Sequence, residues 1–186
     1  MDRPVFDGAS FVSIDLNNGQ IASRESEQLV LISAEIASMI PASDALKRAA
    51  EKWGEKHGQA FVKRHELERV GIETLSSQLG GTLAALGMGR VILEVRQNAL
   101  LFRVTSKTLS PFSKGNAAML EGFISGYLSV IMGQQFKVLE LGDIKGDHLF
   151  FAGNETAVTT IQTALNAGTK PLAAVDGLMA ERDAAC

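Results

Sequence analysis

The most apolar stretch of the chain lies between residues 116 and 133 and predicts a buried helix. Its large side chains follow one another at three- and four-residue spacings, so apolar surface covers most of the helix circumference. These side chains are Met119, Leu120, Phe123, Ile124, Tyr127, Leu128, Ile131 and Met132. A membrane span takes about 20 apolar residues, whereas Glu121 interrupts this shorter run. We therefore predict a core helix and no membrane span.

A narrower stripe of small residues follows one face of the same helix, at Gly122, Gly126, Ser129 and Gly133. Small residues at such spacing let another backbone approach closely. The approaching backbone can belong to another helix of this chain or to a second copy. Gly122, Gly126 and Ser129 are therefore the predicted interface if the chain forms a homodimer.

A second long helix is predicted from Ser43 or Asp44 to about His65. Its apolar positions share one face, at Leu46, Ala49, Ala50, Trp53, His57, Ala60 and Phe61. Gly54 and Gly58 lie inside this helix, and each costs roughly 1 kcal/mol relative to Ala. Close packing on another helix would offset that cost. A third helix carries Leu75, Leu79, Leu83 and Leu86 on one face and ends at Gly87 and Gly89.

Alternating apolar and polar residues predict three hairpins. The first pairs 10–16 with 20–24 across an Asn-Gly turn. The second pairs 90–95 with 100–105, and the third pairs 135–141 with 148–152. A turn at Asn98-Ala99 in the second hairpin would set Val95 opposite Phe102, Leu93 opposite Val104 and Glu94 opposite Arg103.

The segments between and after these hairpins are read as follows. Residues 28–32 fit either a strand or the start of a helix, because periodicity does not distinguish the two. A short helix is predicted over 33–40, where Pro41 ends it. Asn154 caps a helix over 155–166, and the residues after Pro171 form a short helix or a frayed tail.

The order of elements predicts an α/β (α+β) fold with an antiparallel sheet of two or more hairpins packed against long helices. A chain of 186 residues suits one compact domain, which we place over 1–186. The net charge of -3, with no basic patch, argues against nucleic-acid binding. The single cysteine, Cys186, excludes an internal disulfide framework and a cysteine-based metal cluster. The N-terminal residues lack the pattern of a secretory signal, which favours the cytoplasm.

Residues that carry chemistry are scattered along the chain. His57, His65 and His148 have no metal-ligand spacing, so neither a metal site nor a cofactor is predicted. Asp143 and Asp147 flank a glycine and are read as a solvated turn, because Asp and Gly are ordinary turn residues. Phosphate-binding loops and serine-nucleophile motifs are absent. The sequence offers no catalytic residue and favours a non-enzymatic protein over an enzyme.

Aromatic residues on the two long helices have two interpretations. They form ordinary core, or they line an apolar pocket between the helices and the sheet. The residues assigned to that pocket are Trp53, His57, Phe61, Phe123, Tyr127 and Phe136. A small apolar ligand is the occupant that such a pocket would take.

Several of these positions, in this order of elements, resemble the vinyl reductase (4-vinyl reductase) domain family. They are Gly54 and Gly58; Leu86 to Val91, which read LGMGRV; Phe123, Gly126, Tyr127 and Gly133; and Glu140 and Gly146. The similarity covers roughly residues 20–152, and residues 153–186 extend past it. The fold of this family is shared with the small subunits of the TRAPP vesicle-tethering complex and is related to haem-nitric-oxide-associated sensor domains. The resemblance implies an antiparallel sheet packed against helices, often a homodimer, and sometimes an apolar ligand cavity.

One departure from the family changes what the resemblance implies. Members often carry cysteines near the central helix and in the last hairpin. The corresponding neighbourhoods at 116–119, 140–142 and 148–150 contain none. A thiol-dependent or metal-dependent activity is therefore not transferred to this chain.

Three functions follow from the sequence and the resemblance. The first is a non-enzymatic homodimeric sensor or adaptor that binds a small apolar ligand or a partner protein. The second is a structural subunit of a larger assembly, docking through the helix after Asn154 and the tail. The third is an enzyme or accessory protein of tetrapyrrole metabolism, against which the absent cysteines and scattered histidines argue.

Overall fold

A computed structural model describes residues 12–15, 20–23, 28–29, 36, 39–64, 71–85, 88–96, 99–105, 113–144 and 146–184. Within these residues it contains five helices and two antiparallel sheets, which confirms the predicted α+β fold class. The helices are α1 (Asp44–Arg64), α2 (Ile72–Ala85), α3 (Lys114–Met132), α4 (Glu155–Asn166) and α5 (Pro171–Ala184). Most of the short helix predicted over 33–40 lies outside the described residues, as do His65 and Cys186.

The described strands form two sheets. Earlier residues of the chain form the small sheet, and later residues form the larger one. The small sheet contains β1 (Val12–Asp15), β2 (Gln20–Ser23) and β3 (Gln28–Leu29) in that order. The larger sheet contains β4 (Arg90–Arg96), β5 (Ala99–Thr105), β6 (Lys137–Ile144) and β7 (Asp147–Gly153). Its spatial order is β4-β5-β7-β6, so the two hairpins meet at their second strands and leave β4 and β6 at the edges. The structure confirms the first predicted hairpin. Residues 28–32, which by sequence fit either a strand or a helix, begin as a strand.

The two faces of the four-stranded sheet bury separate sets of side chains, because successive residues of a strand point to opposite faces. One face packs under α2 and α3 and carries Val91, Leu93, Leu100, Phe102, Val104, Val138, Phe150 and Ala152. The other face packs under α4 and α5 and carries Ala99, Leu101, Leu139, Leu141, Ile144, Leu149 and Phe151. The sheet is thus the middle layer between two helical layers.

The β4–β5 register differs by two residues from the predicted one. Arg96 pairs with Ala99 and Val95 with Leu100, so the turn falls one residue earlier than Asn98-Ala99. A shift of two residues leaves every side chain on its predicted face, because the side-chain period of a strand is two. Glu94 and Arg103 are consequently diagonal neighbours, and they still form a 2.9 Å ion pair from Nε to Oε1.

Helix α3 occupies the centre of the fold, as its apolar sequence predicts. Ser113 caps it by accepting a hydrogen bond from the Asn116 amide, and Gly133 ends it with a positive φ of 63°. Helix α1 runs beside α3 in the same direction, since Lys47 lies against Gly122 and Glu51 lies against Gly126. The two helices are in backbone contact along their shared length.

Helices α4 and α5 add the layer on the other side of the sheet. Asn154 caps α4 through its side chain, which accepts a 2.8 Å hydrogen bond from Ala157 N, and α4 has the bounds that the sequence predicts. The tail after Pro171 is helical rather than frayed, because Val175, Leu178 and Met179 bury side chains against the sheet. Arg96 of β4 forms two 2.8 Å hydrogen bonds with Asp176 of α5.

Candidate functional site

Five of the six predicted pocket residues meet between α1 and α3. Trp53 and Phe123 lie edge to face with ring centroids 4.9 Å apart, and His57 lies 5.6 Å from Trp53 and 5.5 Å from Phe123. Phe61 and Tyr127 continue the group with centroids 5.9 Å apart. We call these five residues the aromatic cluster. Such edge-to-face and offset arrangements are the preferred geometries of aromatic pairs.

His57 brings an imidazole into the aromatic cluster. Its side chain is 6% exposed, in contact with the rings of Trp53 and Phe123. An imidazole adds hydrogen-bonding nitrogen atoms to a group built mainly of apolar ring surface. The cluster therefore combines aromatic walls with hydrogen-bonding capacity.

Phe136, the sixth predicted residue, packs half-buried against the same core but forms none of the ring pairs of the aromatic cluster. It follows α3, where its amide donates a 2.9 Å hydrogen bond to Ser129 Oγ. It borders a separate cavity of about 450 Å³ that also touches Val95, Met132 and Met179. The sequence placed it with the cluster because aromatic character alone does not reveal which end of the helix a residue packs against.

Asn116 is a polar residue of the core that sequence reasoning missed. Its side chain is 1% exposed, and its Nδ2 has no hydrogen-bond partner among the described residues. It shares one face of α3 with Leu120, Phe123 and Tyr127, because those spacings of four, three and four residues follow the helical repeat. The sequence signal that could have revealed it is an asparagine in the first turn of a strongly apolar helix.

The stripe assigned to a dimer interface is covered within the chain. A Cβ atom at Gly122 would lie within 3.0 Å of Lys47 O, and one at Gly126 within 3.0 Å of Glu51 O. Ser129 donates a 2.7 Å hydrogen bond to Ser125 O and accepts from Phe136 N. The close approach that the stripe predicts is therefore made by α1, and a second copy would have to displace α1 to use it.

A groove between α2 and β4 is a second candidate site that the sequence did not reveal. Its volume is about 770 Å³. Ser76, Ser77 and Gly80 line it from α2, and Val91 and Leu93 line it from β4. The two elements follow one another in the chain, and the groove depends on how α2 packs beside the edge of β4, which neither element's own pattern predicts.

Charged residues gather on the α5 face of the sheet around a cavity of about 50 Å³. Arg103 pairs with Glu94 at 2.9 Å and with Asp147 at 3.5 Å. The Glu94 carboxylate, followed by Asp147, raises the pKa of the Arg103 guanidinium. Likewise, the hydrogen bonds from Arg96 lower the pKa of Asp176. These charges compensate one another, which gives this cavity a structural role.

The described residues offer no set of side chains suited to binding a metal ion. His148 Nδ1 lies 3.2 Å from Glu140 Oε1, whereas His57 sits in the aromatic cluster. No group of three or more His, Cys, Asp or Glu side chains within the described ranges is arranged to hold a metal ion. No helix in the described part of the chain combines the length and apolar character that crossing a membrane requires.

Comparison with known proteins gives a likeness among solved structures. No known protein family matches the sequence, and no curated protein matches it either. Among solved structures, the chain is similar to the phenol-responsive sensory domain of the transcription activator PoxR, crystallised with phenol. The identity is 15%, the TM-score is 0.55, and the match covers 77% of this chain and 85% of that one. At this identity the likeness establishes a shared fold.

Proposed function

We propose that this protein is a non-enzymatic sensory module that binds a small, neutral aromatic molecule at the aromatic cluster. The observation that carries the proposal is the buried His57 imidazole among the rings of Trp53 and Phe123. Small-molecule sites are usually lined by aromatic and apolar side chains with a few polar groups, which is the composition of this cluster. The fold of a phenol-responsive sensory domain supports the same function.

The chemistry of the aromatic cluster favours this ligand class. Its side chains are four aromatic rings and one imidazole, with no carboxylate, ammonium or guanidinium group. A charged ligand would lose its hydration there without gaining a counter-ion, whereas a neutral aromatic ring gains edge-to-face contacts. A hydroxyl on the ligand would meet the imidazole of His57 among these rings.

The packing of α1 on α3 supplies a route from binding to a change of shape. Gly54 and Gly126 bring the two backbones into contact, so the helices cannot move closer together. A ligand that separates Trp53 from Phe123 therefore moves one helix relative to the other. A change of this kind is what a sensory module passes on to a partner protein. The homodimer, the partner protein and the cytoplasmic location remain predictions.

Calorimetric titration with phenol tests the proposal. A ligand of about seven heavy atoms can reach micromolar affinity, since the best small ligands gain up to about 1.5 kcal/mol per heavy atom. We expect saturable binding that weakens about tenfold in His57→Phe, because the variant keeps a ring but loses a hydrogen bond.

Phe136→Leu is the matched control, because Phe136 lies outside the aromatic cluster and should leave the affinity for phenol unchanged. Circular dichroism of each variant separates loss of the site from loss of the fold. The proposal is contradicted if phenol does not bind at millimolar concentration. It is also contradicted if folded His57→Phe binds phenol as tightly as the native chain.

A further inference from the structure

The edge strand β4 exposes hydrogen-bonding groups of its backbone. Arg96 and Ala99 pair across only two intervening residues, so they form the hydrogen-bonded pair that closes a two-residue turn. Because antiparallel pairs alternate in type, the N–H and C=O groups of Val91, Leu93 and Val95 point away from β5. These are the groups with which another strand could pair.

Helix α2 covers one of these three residues and leaves the other two open. A Cβ atom at Gly80 would lie 2.8 Å from Val91 O, so α2 rests against the strand edge there. The outward groups of Leu93 and Val95 make no hydrogen bond to any other described residue. They face the groove of about 770 Å³, where the exposed fractions of Val95 and Ile72 are 57% and 43%.

We propose that a second copy of this chain pairs its own β4 with this edge, antiparallel and about a two-fold axis at Glu94. In this register Leu93 of each copy is opposite Val95 of the other, and each such pair exchanges two backbone hydrogen bonds. The exposed Val95 side chain is then covered by Leu93 of the second copy. This inference is independent of the proposed ligand binding.

The charged side chains of Glu94 and Arg96 on β4 are already paired within each chain. The two Glu94 carboxylates meet at the axis, where each is already paired with Arg103 of its own chain. Each also lies diagonal to Arg96 of the other copy, within reach of its long side chain. The four guanidinium groups near the two Glu94 carboxylates are also shared with Asp147 and Asp176 of each chain.

Neighbouring registers are less favourable. Centring the pair on Leu93 would require the outward groups of Val91, which α2 covers, and would set Arg90 opposite Arg96. In natural proteins, a Pro, a Lys or a β-bulge in an edge strand commonly prevents it from pairing with another chain. Strand β4 contains neither Pro nor Lys, and its register with β5 is regular. Beyond Val91, where α2 covers the strand, this edge therefore carries no Pro, Lys or bulge that would block pairing.

Disulfide cross-linking of the full chain tests the register. The only native cysteine is first removed by Cys186→Ser. Glu94→Cys then places two thiols at a non-hydrogen-bonded pair, where Cα atoms about 4.5 Å apart fall within disulfide range. We expect a covalent dimer under mild oxidation. In the control Ile92→Cys the two Cα atoms would be roughly 14 Å apart, too far to bridge.

The variant Val95→Pro provides a second, independent test of the proposed dimer. The outward N–H of Val95 is not used inside the chain, so proline is tolerated on this edge strand but removes a donor from the dimer. We expect a folded monomer by circular dichroism and native mass spectrometry. The proposal is overturned if the native chain is monomeric, if folded Val95→Pro stays dimeric, or if Ile92→Cys cross-links as well as Glu94→Cys. If Val95→Pro does not fold, the cysteine pair alone decides.

Discussion

Gly126 of α3 lies directly against the backbone carbonyl of Glu51 on α1. A Cβ atom at this position would be less than 3.0 Å from the oxygen, a distance that real Cβ atoms essentially never show. Gly54 makes the reciprocal contact with Phe123 O. The two helices are thus in contact through their backbones, and this contact sets the spacing of the aromatic cluster between them.

Gly126→Ala is expected to destabilise the protein by about 3 kcal/mol or more, because the added methyl group must push α1 away from α3. Urea denaturation measures the change in the free energy of unfolding. Gly177→Ala in α5 is the control: nothing lies within 4 Å of a Cβ atom there. Since Ala is the better helix former, the control should gain up to about 1 kcal/mol. Equal stability of native protein and Gly126→Ala would contradict this packing.

Glu121 joins three elements of the fold. Its carboxylate accepts 2.7 Å hydrogen bonds from Lys47 Nζ of α1 and from Glu140 N of β6. Glu121→Ala leaves the Glu140 amide without this acceptor, and we expect a loss of about 1–3 kcal/mol. Glu121→Gln keeps an acceptor oxygen and should lose less. Chemical denaturation of both variants gives the comparison, and an equal loss in the two would argue against the hydrogen bond to Glu140.

The contact between α5 and the sheet is expected to weaken in acid. Arg96 lowers the pKa of Asp176, so this pair stabilises the fold above the ordinary aspartate pKa and loses its effect as pH falls through the lowered value. Thermal midpoints of the native chain and Asp176→Asn should therefore differ at neutral pH and converge below about pH 3.9. A difference that persists unchanged in acid would show that the carboxylate charge has no part in it.

Much of the fold follows from local patterns in the sequence. The bounds of α4 match the predicted ones because Asn154 is a strong cap, and α1 matches within a residue because its amphipathic repeat is long. The β4–β5 register was wrong by two residues. Apolar alternation is identical in the two registers, so only the turn geometry distinguishes them.

The candidate sites depend on relationships that local patterns do not contain. Helical periodicity predicts that Phe123 and Tyr127 share one face of α3. It does not predict where Phe136 packs. The small stripe predicted a close backbone neighbour, and nothing in its spacing indicates whether that neighbour is α1 or a second copy. The groove beside β4 lies between two consecutive elements, but its shape depends on their packing, and Gly80 gave no local sign that it rests on Val91.

Fluorescence of Trp53 tests the central claim most directly, because it is the only tryptophan in the chain and lies within the aromatic cluster. Excitation at the red edge of tryptophan absorption, during titration with phenol, reports contact between the ligand and this side chain. We predict a saturable change whose midpoint agrees with calorimetry and moves to higher phenol concentration in His57→Phe. A linear response, equal to collisional quenching of free N-acetyltryptophanamide, would contradict a ligand site at the aromatic cluster.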